Sequence, residues 1–224
     1  MTSSTLFILA GFRGVGKSTV CATALQKKTA LFGEKWDGLF QQIQIPSHYP
    51  EWEIPFEQLL AEKTWFGDSN LNPLASHHEL INPLLFQIDI LSLLSNRHCY
   101  PNLTLPSPLS DKTEQAFDAL ANPQINEYAF EQYLSHTFFK RYDNIIVNTL
   151  YAPWQITANQ YEKRKGLAFQ PHLFPDFYFH LRQNGESIYE SIYQSWLIAA
   201  QRILKPTEML ISKVTDQQLL IKRL

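Results

Sequence analysis

The octapeptide Gly11-Phe-Arg-Gly-Val-Gly16-Lys17-Ser18 lies between the apolar run Thr5–Ala10 and the breaker-poor stretch Lys17–Lys28. Glycines at positions 11, 14 and 16 are costly inside a helix or strand but free to take left-handed conformations, so the chain is expected to turn tightly here. The apolar run reads as a strand covered on both faces, as parallel strands are. The stretch after it reads as a helix, with Lys27 and Lys28 at the end where cations suit the dipole. A glycine turn feeding a helix N-terminus points successive N–H groups inward and makes an anion cradle.

The octapeptide fits the phosphate-loop pattern G-x-x-x-x-G-K-[ST] at every defined position. It resembles that of the P-loop nucleoside triphosphate hydrolase and kinase superfamily, over Thr5 to about Lys28. The resemblance implies a three-layer P-loop α/β fold, with a mainly parallel central sheet and helices on both faces. It places ATP and Mg²⁺ at the carboxyl edge of that sheet, where ligands bind in open α/β sheets. Gly11, Arg13, Gly14, Val15, Gly16, Lys17, Ser18 and Thr19 are then the phosphate-binding residues. Lys17 reaches the β and γ phosphates, Ser18 ligates Mg²⁺ and Thr19 supports the first helical turn. Arg13 is a second phosphate contact or an exposed loop cation. The plain alternative is a glycine turn that starts a helix and holds no ligand.

Elsewhere the chain is read from its punctuation. Leu84–Ile88 and Asn144–Tyr151 are further buried-strand candidates, and Glu208–Ser212 a last one. Helices are expected at Phe56–Lys63, Asp111–Ala121, Asn126–Lys140, Pro153–Lys165 and Ser187–Leu204. The last has the cleanest period, with Ile188, Ile192, Trp196, Ala199 and Ile203 on one face. Strands alternating with helices point to one α/β domain over residues 1–224, with a substrate-side insertion at about 31–80 where Trp36, Trp52 and Trp65 sit among prolines. Charged residues at 18% and a net charge of -2 argue against disorder and against a nucleic-acid binder. Cys21 and Cys99 can form at most one bridge and no Cys-based zinc site. No apolar run approaches the roughly 18 residues of a membrane span. With no signal-type start, a cytoplasmic location is expected.

Branches of the superfamily are tested by their motifs. The chain carries no Asn-Lys-x-Asp or Asp-x-x-Gly, which argues against a GTPase, and no Asp-Glu pair, which argues against transporter-type and hexameric motor ATPases. Asp89, after Leu84–Ile88 with Gln87 as a polar interruption, is the candidate second acid for Mg²⁺ or substrate; its other reading is a helix cap. Lys163-Arg164-Lys165 follows a late strand as basic lids of small kinases do, with Arg164 the candidate catalytic cation; basic residues before Gly166 also suit a helix end. His77-His78 makes no metal site by itself. The leading expectation is a small kinase moving the γ-phosphoryl group of ATP to a small molecule or nucleotide through Lys17, Asp89 and Arg164. A sulfotransferase-like enzyme and a slow nucleotide-binding regulatory or assembly protein stay open beside it.

Overall fold

Thr5–Gly11 forms β1, and every residue of it is buried. A strand with parallel neighbours and helices over both faces has no solvent side, which is why its sequence is continuously apolar. Beside it lie β2 (Leu84–Asp89) and β3 (Asn144–Tyr151), both parallel to it. Next come β4 (Glu208–Val214), parallel to β3, and β5 (Leu219–Arg223), antiparallel to β4. The sheet order is β2-β1-β3-β4-β5, with the octapeptide's strand in its interior. The computed structural model describes residues 3–12, 14–43, 82–95, 120–135, 138–165, 185–215 and 219–224.

The helices are α1 (Lys17–Lys27), α2 (Glu34–Phe40), α3 (Ile90–Ser95), α4 (Pro123–Leu134), α5 (Trp154–Lys165) and α6 (Glu186–Leu204). Strand residues alternate between two cores. Phe7, Leu9, Leu85, Ile146 and Leu150 pack with Cys21 and Ala24 of α1 and with Trp36 and Phe40 of α2. Leu6, Ile8, Phe86, Ile88 and Val147 face the other way, onto Phe130 and Tyr133 of α4 and Ile192, Trp196 and Ala199 of α6. The fold is therefore α/β, with a mixed, mostly parallel sheet and helices on both faces. Among the described residues no helix is long and apolar enough to cross a membrane.

Several boundaries differ from the sequence expectations for local reasons. α4 begins at Pro123 rather than Asn126, because proline suits the first turn and the Asn122 side chain accepts from Gln124 N–H as its cap. It stops at Leu134, and Phe138, Phe139 and Tyr142 beyond it turn into the core on the α6 face. α2 was hidden by its length of 7 residues, yet Leu31, Phe32, Trp36 and Phe40 are core. Asp37 Oδ1 accepts from Leu31 and Phe32 N–H at 2.8 and 2.7 Å and fixes the entry to α2. A buried Asn148 Nδ2 donates to Leu31 O at 2.5 Å, and Ser212 Oγ donates to Asn148 Oδ1 at 2.9 Å, tying that entry to β3 and β4. Of segment 31–80, residues 31–43 thus start as part of the core; the rest, with the helix expected at Phe56–Lys63, lies outside the described residues. So does most of Asp111–Ala121.

Candidate functional site

β1 ends at Gly11 and α1 begins at Lys17, which puts the turn between them at the carboxyl edge of the sheet. Its glycines answer to different causes. A Cβ at Gly11 would lie 2.8 Å from Val15 Cγ1 and 2.9 Å from the Leu150 carbonyl oxygen, so the constraint there is close approach. Gly14 and Gly16 take φ of 87° and 97°, where side chains are strained. Gly16 is the N-cap of α1 and has no side chain with which to cap it, whereas Asn122 caps α4. The first-turn N–H groups of α1 are thus left to other partners, at the positive end of the helix dipole.

The turn is held from beneath by α6. Phe12 is buried between Tyr189 and Tyr193, with ring centroids 4.5 and 5.1 Å away. Phe12 N–H donates to the Tyr193 hydroxyl at 3.2 Å, and that hydroxyl donates to Leu150 O at 2.7 Å. One turn earlier, the Tyr189 hydroxyl donates to Ala152 O at 2.7 Å and meets Thr157 Oγ1 at 3.1 Å. Burial pushes the Tyr189 hydroxyl up to about 12, so it keeps its proton as a donor. The phosphate-loop candidate, the end of β3 and the start of α5 therefore share one set of hydroxyl contacts.

Lys17 is 4% exposed, and its ammonium donates to Gly11 O at 3.0 Å and Phe12 O at 3.2 Å. Those carbonyls offset part of the cost of burying a cation. Val15 is buried, and Ser18 and Thr19 are exposed. Ser18 Oγ donates to Gln87 Oε1 at 3.5 Å. Gln87 is 1% exposed, and its Nε2 has no hydrogen-bond partner. Asp89 stands two residues on, on the same face of β2, level with Gly11 across the sheet. It ends its strand as the sequence predicts. Asp89 Oδ1 also accepts from Leu91 N–H at 3.1 Å, the helix-cap role its sequence allowed.

Gln160 of α5 has its Oε1 4.0 Å from where a Gly16 Cβ would stand, so α5 passes beside the loop. Lys163, about one turn further on, is exposed. Arg164 belongs to the same helical turn, but its side chain, that of Lys165, and Arg13 lie outside the described residues. Among the described residues no group of three or more His, Cys, Asp or Glu could hold a metal. Burial pushes the Cys21 thiol, on α1, up to about 12, which makes it a poor nucleophile.

Three contributors went unrecognised in the sequence. Gln87 was only a polar interruption in an apolar strand, although a buried strand that keeps an amide is itself a signal. Tyr189 and Tyr193 lie next to Ile188 and Ile192 of the apolar stripe, and their spacing of four puts both on one helix face without saying what lies opposite. No protein-family model matches this chain, and neither the curated proteins nor the solved structures give a significant match.

Proposed function

We propose that this chain binds ATP with Mg²⁺ at Gly11–Ser18 and transfers the γ-phosphoryl group to a small molecule or nucleotide, as a P-loop kinase of three-layer architecture. The observation that carries the reading is the uncapped N-terminus of α1, presented by left-handed glycines at the carboxyl edge of an interior parallel strand. The residues fit the ligand: a glycine cradle that side chains would strain, a buried ammonium on exchangeable carbonyls, and an exposed serine beside an orphaned amide.

When bound, ATP supplies the transferable phosphoryl group and Mg²⁺ a Lewis acid for its oxygens. The chain's own part is positioning and charge neutralisation. First-turn N–H groups of α1 orient the phosphates. Lys17 would exchange the carbonyls of Gly11 and Phe12 for phosphate oxygens, and Ser18 would offer its hydroxyl to the metal. Asp89 would orient metal waters or the acceptor hydroxyl. The run Lys163-Arg164-Lys165 on α5 would supply cations to the transferring group, with Arg164 counting at the transition state more than in the ground state.

A slow nucleotide-binding regulatory protein is the second reading, favoured by one observation: the Asp89 carboxylate is engaged in capping α3. Isothermal titration with ATP, GTP and 3'-phosphoadenosine phosphosulfate, each with and without Mg²⁺, tests the proposal. Mg²⁺-enhanced ATP binding is expected. Preference for the phosphosulfate with no metal effect would replace it by a sulfotransferase-like reading. Tight ATP binding without phosphoryl transfer to any of a panel of hydroxyl acceptors would favour the regulatory one.

A further inference from the structure

Gln87 sits in the middle of a buried strand between apolar neighbours, with its Oε1 in a long contact of 3.5 Å to Ser18 Oγ and its Nε2 unpaired. A buried amide left half-satisfied destabilises a fold, and a leucine of similar size would remove the loss. Thr5 Oγ1, Asp37 Oδ2 and Asn126 Oδ1 are also unpaired, yet among these orphans Gln87 is the one whose side chain touches the loop. Turning the amide over would not help, because either orientation pairs one end with Ser18 and strands the other.

We propose that Gln87 is the positioning residue for Ser18, an inference that rests on the nucleotide-binding reading above. A serine hydroxyl that gives its lone pairs to a divalent cation keeps only its O–H to donate. Gln87 Oε1 is the acceptor placed for that proton, and accepting it turns the lone pairs of Ser18 outward to the metal. The same choice of amide orientation leaves Nε2 to pair with a water of the bound metal, which would complete the amide only when ligand is present and which can equally donate to a carboxylate at this position. Gln87 therefore acts on the metal's contribution to binding, and not on the phosphates held by Lys17 and the loop N–H groups.

The test compares the wild type with Gln87→Leu and Gln87→Glu by titrating ATP with and without Mg²⁺, alongside thermal melts of the ligand-free proteins. Gln87→Leu should lower the Mg²⁺ enhancement of ATP affinity by roughly fivefold or more, leave Mg²⁺-free affinity within about twofold, and keep or raise the melting temperature. Gln87→Glu keeps the acceptor oxygen and should keep the enhancement. A Leu variant with undiminished enhancement, or one that loses Mg²⁺-free affinity equally, overturns the inference while the nucleotide site stands. Should the Leu variant not fold, the Glu variant decides, retained enhancement supporting the role and lost enhancement overturning it. Wild-type ATP binding that ignores Mg²⁺ also overturns it, whereas a wild type that binds no ATP overturns the nucleotide reading itself.

Discussion

At the amino edge of the sheet, the Asp143 carboxylate accepts from Ser4 N–H at 2.8 Å and from its hydroxyl at 2.9 Å, and Asp143 N–H returns a bond to Ser4 Oγ at 3.0 Å. Asn82 Oδ1 accepts from Thr5 N–H at 2.9 Å, and Asn144 N–H reaches Ser4 O at 2.9 Å. At the carboxyl edge of the same strands, a buried ammonium rests on the carbonyls of its own loop, a helix begins without a side-chain cap, and a buried amide has an unpaired end. The amino edge is not perfectly paired, since Thr5 Oγ1 is an orphan there. The difference lies in kind. Polar groups at one edge are spent on each other across β1, β2 and β3, and the other edge gathers a loop-bound cation, a helix started by glycine and a half-paired amide. The first works as a clasp, and the second is the edge proposed above to bind the nucleotide.

Substituting Gly11 should cause the largest change, because the turn cannot move away from β3. Gly11→Ala puts a methyl 2.8 Å from Val15 Cγ1 and 2.9 Å from a backbone oxygen, and the backbone oxygen cannot swing aside as a side chain can. A loss of about 1–3 kcal/mol of stability is expected from such overpacking, read by urea denaturation, together with loss of ATP binding. Gly16→Ala meets only Gln160 Oε1, at an unstrained 4.0 Å, and is strained through its φ of 97°, so it should fold better than Gly11→Ala and still bind poorly. Equal stability of Gly11→Ala and wild type would remove the claim that close packing shapes this edge.

Tyr193→Phe ranks next and sharpens the comparison, since it removes a hydroxyl that joins loop to helix. Phe12 N–H and Leu150 O both lose the Tyr193 hydroxyl in a buried setting. About 1–3 kcal/mol follows for leaving such groups unpaired, with the ring stacking on Phe12 retained. If the hydroxyl only stiffens the core, stability falls and ATP affinity in the folded variant stays; if it sets the loop, affinity falls as well. The second outcome is expected.

How much of this could be read from residues alone divides along the same line. The strand Thr5–Gly11, the turn, α1 and the strand-end place of Asp89 were legible because glycine spacing and apolar runs are local signals. The α6 stripe through Ile188, Ile192 and Trp196 was legible for the same reason, as a 3.6-residue period. The partners of Gln87 and Tyr193 were not, because Ser18 and Gln87 are 69 positions apart and Phe12 and Tyr193 are 181 apart. Periodicity assigns a residue to a face and cannot say which loop that face meets. β5 was missed because Leu219-Leu-Ile-Lys-Arg223 is short and ends in charge, a pattern that edge strands share with tails.

Lys17→Ala tests whether the cation of the binding edge is held for a ligand. Its removal should weaken triphosphate binding at least about tenfold, roughly 1.4 kcal/mol, while the fold persists, because the carbonyls of Gly11 and Phe12 lose a donor but no large volume is lost. Titration of ATP into the folded variant measures it. Unchanged affinity would make the ammonium a structural strut and erase the contrast between the two edges.

The smallest effect belongs to the clasp and is a matter of pH. The Ser4 N–H, and after it the Ser4 hydroxyl, hold the Asp143 carboxyl below its ordinary value of 3.8. A carboxyl with a depressed folded value favours the folded state fully above its unfolded value, about 3.9, and that contribution disappears as pH falls through the folded value. Exposure and salt screening keep it slight. Asp143→Asn retains an oxygen that can accept from Ser4 but cannot titrate, so its denaturation midpoint should sit a little below the wild type from pH 7 to about pH 5 and converge with it in stronger acid. ATP affinity should be the same in both proteins across that range, since the clasp lies at the opposite end of the strands from Gly11. A gap that widens on acidification would mean that Asp143 is held by something other than Ser4. A change in ATP affinity would mean that the two edges communicate, and the division of labour between them would have to be given up.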